Sequence, residues 1–398
     1  MLVAWPATEV PGSTRGLRIT ESSTSPPPLV SGAPTSIALF VGWSPSGPTD
    51  DAIPVRSVRD YEEKFGGLDA CSLLGYAVHH FYGNGGMHAR ILRLVGTDGG
   101  AIAPTDAAFL RALTAAFAAG GPVDRIDMFN QICVPGLTDA AAVAMLQAQA
   151  AARRAFLIAD CEEGAQPATV AASLAGKTGV NAASSALYFP WVMAPDPLQK
   201  GAPRAFPPSG FVAGVLARVD DERGVWKAPA GDGASLKGAT DLAVRLTDVE
   251  NEALGRQGIN CLRQFSGKGL LVWGARTLAG GITGPASEWK YVPVRRTALF
   301  LQESIWAGTE WAVFEPNDEP LWARLRWSVG NFMLGLFRQG AFQGNTPDKA
   351  FFVRCDRETT SQDDIDRGVV KIVIGFAPLK PAEFVIVSIA QLAGRHDP

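Results

Sequence analysis

Apolar residues follow two spacings along the chain, and the spacing changes near residues 100 and 240. Before residue 100, a continuous apolar run at 36–42 predicts a buried strand. Between 100 and 240, apolar runs alternate with segments of helical spacing, which predicts an α/β layer with a parallel sheet. After 240, helical spacing dominates at 243–254, 292–308 and 318–339. The fold class predicted by this pattern is mixed α/β (α+β), with a central α/β layer.

A short alternating segment lies near the N-terminus, between stretches rich in Pro, Ser and Thr. Residues 16–21 alternate apolar and polar positions as a half-buried strand does, and 383–391 is a further strand candidate at the other end. A lone strand cannot bury its face by itself. The N-terminal segment must therefore pair with a sheet of this chain or of another one.

The composition narrows the function classes. Charged residues make up 19% of the chain, below the roughly 25% of a typical soluble domain, so part of the surface is expected to be covered by partners. A formal net charge of −3 argues against non-specific nucleic-acid binding. The N-terminus lacks the basic and apolar regions of a signal peptide, and no stretch reads as a membrane span.

Cysteine and histidine usage argues against metal and triad chemistry. The five cysteines are far apart and form no C-x-x-C pair, which favours buried, reduced thiols. The four histidines leave a gap between His88 and His396, so a Ser-His-Asp triad or an H-E-x-x-H site is excluded from the middle of the chain. His79 and His80 have no Cys or paired carboxylate at ligand spacing, and we interpret them as packing or surface residues.

Gly176 and Lys177 satisfy a permissive phosphate-loop pattern. A phosphate loop has to follow a strand and open a helix, because the free N–H groups of the helix N-terminus face the phosphates. Here a helix is predicted at 167–175, before the glycine, so the context is reversed. An α/β nucleotide-binding or hydrolytic enzyme remains an alternative, and no cofactor is predicted.

The predicted helix at 318–339 carries a polar stripe beside its apolar face. Arg324, Asn331 and Arg338 follow one another at intervals of seven residues, which places the two arginines about 21 Å apart. This stripe fits either a grip on an acidic partner surface or an ordinary solvated helix face.

An ordered set of motifs resembles the tail sheath proteins of contractile phage tails and contractile injection systems, in particular the compact sheaths. The resemblance is strongest over 250–390, and over 100–240 it extends only to the α/β pattern, which is similar to the subtilisin-like layer of sheath proteins. The motifs are FVG at 40–42, DYEEKFG at 60–66, AVHHFYGNGG at 77–86, GIN at 258–260, VWGART at 272–277, YVPVRR at 291–296, WAVFEPND at 311–318, GAFQG at 340–344 and PAEFV at 381–385.

The resemblance implies a structural, non-enzymatic function. Sheath subunits form stacked hexameric rings around an inner tube, and contraction drives that tube through a target envelope. The implied partners are other copies of the chain, an inner tube protein, and baseplate and tail terminator or cap proteins, without nucleic acid or membrane insertion. Assembly is expected in a bacterial or archaeal cytoplasm, in a phage tail or injection particle. A sheath paralogue at the baseplate or cap is a further alternative.

The resemblance also implies the domain organisation and the sites. It gives an N-terminal extension at 1–25, a sheath core domain at 26–98 and 241–382, a middle α/β domain at 99–240 and a C-terminal arm at 383–398. Terminal extensions in this family lend strands to neighbouring subunits, and the C-terminal domain faces the tube. The implied strand-exchange residues are Gly16, Leu17, Arg18, Ile19, Thr20, Glu21, Glu383, Phe384, Val385, Ile386, Val387, Ser388 and Ile389, and the implied tube-facing residues are Arg324, Asn331 and Arg338.

Overall fold

The strands of the computed structural model, which describes residues 28–281 and 288–382, form one large sheet and two small ones. The large sheet has the order β11-β10-β6-β5-β4-β1-β3-β2, with six parallel strands and an antiparallel strand at each edge. The small sheets have the orders β8-β7-β9 and β12-β13. The strands are β1 Ala38–Gly42, β2 Ile53–Val55, β3 Ala89–Arg93, β4 Gln131–Cys133, β5 Phe156–Asp160, β6 Ser185–Phe189, β7 Val192–Asp196, β8 Ala202–Phe206, β9 Asp241–Leu242, β10 Ile259–Phe265, β11 Gly269–Val272, β12 Phe351–Arg354 and β13 Val373–Phe376.

The centre of the large sheet is buried on both faces, as the apolar run at 36–42 predicts. Every residue of β1 is buried. Because successive side chains point to opposite faces, Phe40 packs into the core on one side, while Leu39 and Val41 pack into the core on the other. The predicted parallel α/β layer is therefore confirmed. The sheet takes strands from the predicted segments 26–98, 99–240 and 241–382 alike.

Helices cover both faces of this sheet. The helices α1, α2 and α5 pack on one face, and α3, α4 and α6 contribute to the core on the other. Two glycines let α5 approach α2 closely, since a Cβ on Gly210 would lie 2.6 Å from Ala77 O and one on Gly214 would lie 2.4 Å from Phe81 O. The helices are α1 Val58–Phe65, α2 Leu73–Gly83, α3 Ala107–Ala116, α4 Ala140–Ala152, α5 Ser209–Arg223, α6 Asp248–Arg256, α7 Val292–Gly308, α8 Glu319–Arg338, α9 Pro347–Ala350 and α10 Gln362–Asp366.

A buried asparagine joins β10 to the rest of the sheet layer. Asn260 is fully buried, and its Nδ2 donates to Leu187 O at 3.2 Å and to Arg276 O at 2.7 Å, while its Oδ1 accepts from the Arg276 amide at 2.7 Å. Gly274 lies against it, because a Cβ there would be 2.8 Å from Asn260 Oδ1. One side chain thus fixes β6, β10 and the segment after β11.

The C-terminal part of the chain forms a lobe beside the sheet layer. The helices α7 and α8 pack with β12 and β13 around their own apolar cores. Helix α8 begins where the sequence predicts it, after Asp318, whose Oδ1 accepts from the Leu321 amide. A buried ion pair joins the lobe to the sheet layer, with Arg296 of α7 against Asp220 of α5.

Candidate assembly surfaces

The chain enters the lobe through an extended segment, residues 28–35, which we call the strap. Ser328 Oγ of α8 donates to Pro28 O at 2.6 Å. The Ala33 amide donates to Ser304 Oγ of α7 at 2.9 Å. Both serine side chains are fully buried, so the strap is held across the two helices by bonds to groups of the lobe interior.

Packing and a third bond complete the attachment of the strap. Val30 is buried against Gly308, where a Cβ would lie 2.8 Å from Val30 Cγ2. Arg296 Nη2 donates to Thr35 O at 3.0 Å while the same guanidinium binds Asp220. The strap is therefore fixed to both α7 and the sheet layer. The predicted exchange residues 16–21 precede it and lie outside the described residues.

The sheet formed by β12 and β13 has two outer edges that no third strand of the described residues covers. Phe351 and Val353 pack toward the core of the lobe, while Phe352 and Arg354 are exposed. The Phe352 ring lies over Gly375, where a Cβ would be 2.2 Å from it. A two-stranded sheet is marginal by itself, and free edges are templates for further strands. The predicted exchange residues 383–389 follow β13 and lie outside the described residues.

The predicted polar stripe lies on α8, away from its buried face, and its three members have different surroundings. Arg324 forms an ion pair with Glu315 at 3.3 Å, and its guanidinium lies 4.5 Å from the centre of the Trp311 ring. Asn331 is exposed on the wall of a cavity beside the strap. Arg338 is exposed in the last turn, and within the described parts of the chain it has no ion-pair partner.

Residues 309–318, between α7 and α8, form a loop that we call the aromatic loop. Phe314 is fully exposed, at 102%, and has a φ of +73°, while its neighbour Val313 is 60% exposed. A left-handed backbone at a bulky residue costs about 1–3 kcal/mol. The loop contains Glu310, Glu315 and Asp318 and no Lys or Arg. It thus presents an aromatic side chain in acidic surroundings.

Two adjoining cavities form a trench between the sheet layer and the lobe. Arg223, Trp226 and Gln339 line both cavities. The half next to the strap has a volume of about 900 Å³ and is lined by Leu29 and Phe332, among others.

The other half of the trench, which we call the basic half, has a volume of about 1030 Å³ and is lined by Lys227, Trp273 and Lys380, among others. The Trp273 and Phe265 rings lie 4.3 Å apart between their centres. This half is both aromatic and basic.

Gly176 and Lys177, on which the alternative of a nucleotide-binding enzyme depends, have structural roles. The segment before Gly176 is a 3-10 helix, Val170–Leu174, shorter than the helix predicted at 167–175, and the glycine with its positive φ follows it. Lys177 is buried, at 2% exposure, and burial lowers its pKa. This arrangement does not place a helix N-terminus after the glycine, so it offers no phosphate cradle.

A buried carboxylate at the end of β5 also serves the fold. Asp160 accepts from Ser209 Oγ at 2.7 Å, from the Ser209 amide at 2.8 Å and from the Gly136 amide at 2.9 Å. Burial raises the pKa of Asp160 to about 6. Asp160 thus satisfies the first amide of α5.

The surroundings of His80 agree with the prediction that this histidine is a packing or surface residue. The His80 ring stacks on Phe211 with centres 3.8 Å apart, and burial lowers the pKa of His80 to about 3. Across 28–281 and 288–382, no group of three or more His, Cys, Asp or Glu side chains is arranged to hold a metal ion. Over the same residues, no helix combines the length and the apolar character that crossing a membrane requires.

The strap, the trench and the aromatic loop were not predicted from the sequence. The loop left a signal in the sequence, because Val313 and Phe314 stand between acidic residues next to a helix start. The trench left none, since Trp226, Trp273 and Gln339 come together only through the packing of the lobe on the sheet layer.

Two protein-family models match the chain. The phage tail sheath protein central domain matches residues 111–278, and the phage tail sheath C-terminal domain matches residues 285–391. The tail sheath protein of Vibrio phage KVP40 is 28% identical over 186 residues, which are 46% of this chain and 26% of that protein. The chain spans less than half the length of the curated relatives it matches.

Solved structures match nearly the whole chain. A chain of the anti-feeding prophage helical sheath in its contracted state is 32% identical with a TM-score of 0.72, over 97% of this chain and 100% of that one. A chain of the contracted PVC sheath complex, an extracellular contractile injection system, is 28% identical with a TM-score of 0.75, over 96% and 99%. A chain of the anti-feeding prophage baseplate is 31% identical with a TM-score of 0.70, over 97% and 99%.

Proposed function

The chain belongs to the phage tail sheath family, and from this premise we propose that it is the contractile sheath subunit of a phage tail or injection particle. Copies of the chain polymerise as stacked hexameric rings around an inner tube, and their contraction drives the tube through a target envelope. The match to contracted sheath chains along nearly their full length supports this proposal. The family is a structural one, so the enzyme alternative is not retained.

The observation that carries the assembly mechanism is the two-stranded sheet of β12 and β13. Its outer edges offer backbone groups to added strands, and the sequence continues on either side of the described core, at 1–27 and 383–398. In the proposed mechanism, residues 16–21 of one copy and 383–389 of another extend this sheet in a neighbour. Strand addition supplies backbone hydrogen bonds while the segments beside the added strands let the subunits move.

A proline in an arm tests strand exchange. Ile19→Pro removes a backbone donor from the candidate strand, whereas Ser23→Pro changes a residue after it and serves as the matched control. We expect wild-type protein and Ser23→Pro to form striated tubes with the inner tube protein in electron micrographs. We expect Ile19→Pro to stay unassembled with an unchanged circular dichroism spectrum.

Two results would count against these ideas separately. Tubes formed by Ile19→Pro as efficiently as by wild type would contradict exchange through the N-terminal arm. Wild-type protein that forms no tubes in any condition, with the tube protein present, would contradict the sheath function itself.

We further propose that the stripe of Arg324, Asn331 and Arg338 faces the inner tube. Reversing both arginine charges, Arg324→Glu with Arg338→Glu, should abolish co-sedimentation with the tube protein while the monomer stays folded. The single ion pair lost, between Arg324 and Glu315, is solvent-exposed and contributes about 1 kcal/mol or less. Arg59→Glu on the exposed side of α1 is the control, and unchanged tube binding by the double variant would refute the assignment.

Baseplate and tail terminator or cap proteins complete the proposed set of partners, and a bacterial or archaeal cytoplasm is the proposed place of assembly. The similarity to a chain in the anti-feeding prophage baseplate supports a second candidate, a sheath paralogue at the baseplate. Copy number distinguishes the two. Quantitative mass spectrometry of purified particles should find many rings of this chain if it is the sheath, and a single ring if it is the paralogue.

A further inference from the structure

The tip of the aromatic loop, Phe314, is not covered by any other described part of its own subunit. Phe314 touches water over its whole side chain, and it does so from a left-handed backbone that a phenylalanine rarely adopts. Exposure of a large apolar side chain at a strained residue disfavours the isolated fold, so it indicates an interaction made with another molecule.

The loop is held in place at both ends. Arg324 covers the Trp311 ring at one end of it. At the other end, Trp322 Nε1 donates to Asn317 Oδ1 at 2.8 Å, and Trp322 itself is buried. A fixed loop loses little conformational entropy when it binds, which suits a docking element.

We propose that the aromatic loop of one copy docks in the basic half of the trench of a neighbouring copy, with Phe314 inserted beside Trp226 and the pair of Phe265 and Trp273. This inference rests on the proposed function, because it requires copies of the chain next to one another in a polymer. It adds to that function a contact made by side chains, separate from the exchange of arms.

The trench fits this occupant in size and chemistry. Its basic half has a volume of about 1030 Å³, ample for one aromatic side chain and its flanking backbone. Trp273 is 38% exposed, so an aromatic surface is open to an incoming ring. The Phe314 ring of the same copy is fully exposed and therefore stands outside this trench.

Charge complementarity favours the same pairing. The loop carries acids at 310, 315 and 318, of which Glu315 is paired with Arg324 of α8. Arg223, Lys227 and Lys380 line the basic half, and no ion pair engages them within the described residues. Two acids also line the basic half, but Asp248 is paired with Arg263 and Glu252 with Arg256, so this half keeps an excess of cations. The acids Asp221 and Glu222 line the half next to the strap, which therefore matches the loop less well.

A projecting side chain and a pocket at different places on one chain generate a directional contact. Such a heterologous contact repeats from copy to copy and builds an open helical polymer unless it closes into a ring. The pairing of the aromatic loop with the trench is thus suited to a helical sheath. The rival occupants of the trench are the inner tube protein and the residues of the chain after 382.

Cysteine cross-linking tests the contact. The background is Cys71→Ser, because Cys71 is exposed while the other cysteines are buried. Phe314→Cys is combined with Gln339→Cys, which lines both halves of the trench. Mild oxidation of assembled tubes should give a ladder of disulfide-linked multimers on non-reducing gels. Val180→Cys with Gln339→Cys is the matched control, since Val180 is equally exposed, and it should give no ladder.

A second variant keeps the test decisive if Phe314→Cys itself prevents assembly. Phe314→Asn removes the ring but accepts a left-handed backbone, so the melting temperature of the monomer should not fall. We expect the amount of sheath polymer at a fixed protein concentration to drop about tenfold, because the buried ring no longer stabilises the contact.

The possible outcomes separate this inference from the sheath function. Tubes of the double-cysteine variant without a ladder, a cross-link from Phe314→Cys to the tube protein, or wild-type amounts of polymer from Phe314→Asn would each overturn it while leaving the sheath function standing. Absence of tubes from the Cys71→Ser background and from wild type would overturn both.

Discussion

The buried ion pair between α5 and α7 should be among the most sensitive points of the fold. Arg296 Nη1 and Nη2 lie 2.8 and 2.6 Å from the two carboxylate oxygens of Asp220. Only 3% of the Arg296 side chain and 4% of the Asp220 side chain are exposed. The pair also reaches the strap through Thr35 O, so it ties together three parts of the chain.

The expected loss follows from burial. Arg296→Met leaves the Asp220 carboxylate buried without its partner, which should lower the free energy of unfolding by about 3–5 kcal/mol. Replacing both residues, Arg296→Met with Asp220→Leu, removes the uncompensated charge, and the double variant should recover most of that loss. The exposed pair of Arg59 and Glu63 is the control, where Arg59→Met should cost about 0.5 kcal/mol or less.

Urea denaturation followed by tryptophan fluorescence measures these differences at a protein concentration that keeps the chain unassembled. The transition midpoint and its slope are compared across the four proteins, since a changed slope would signal a change in the unfolded state rather than in the pair. A loss below about 1 kcal/mol for Arg296→Met, or a double variant no better than the single one, would refute the reasoning.

Two further predictions concern close packing and pH. Gly214→Ala places a Cβ 2.4 Å from Phe81 O and should destabilise the protein by about 1–3 kcal/mol in the same urea assay, whereas Gly330→Ala on α8 meets nothing within 4 Å and should stabilise it by about 0.5–1 kcal/mol. Equal effects would contradict the packing argument. Because burial lowers the pKa of His80 to about 3, its neutral form stabilises the fold above the unfolded pKa of about 6.5. Stability should therefore fall as the pH drops from about 6.5 towards 3, and His80→Phe should lose less over this range; identical pH profiles would rule out this role.

Hydrophobic spacing predicted the sheet layer and the long helices because their local pattern and their burial agree. The apolar run at 36–42 contains β1, and the helical spacing at 292–308 coincides with α7. The helix predicted at 167–175 was too long, because the eight residues between Pro167 and Gly176 form only the 3-10 helix Val170–Leu174.

The candidate surfaces could be predicted from the sequence less well than the sheet layer and the helices. Sequence spacing placed Arg324, Asn331 and Arg338 on one helix face, but it could not show that Asn331 lies beside a cavity made with the strap. The acids beside Phe314 are a local signal, but the full exposure of its side chain depends on what the rest of the chain leaves uncovered. A surface formed by segments that are distant in sequence can be predicted only when the fold is known.

The order of the strands in the large sheet has a consequence for synthesis on the ribosome. β6 pairs with β10, and Leu187 and Asn260, which join them, are 73 residues apart. At about 5–20 residues per second, β10 emerges roughly 4–15 s after β6. During this delay, the edge of an apolar strand in the middle of the future sheet stays open to other nascent chains. A chaperone that shields this edge, or a lower concentration of nascent chains, should therefore raise the yield of soluble protein. Substitutions in residues 1–25 or 383–398 should raise it less.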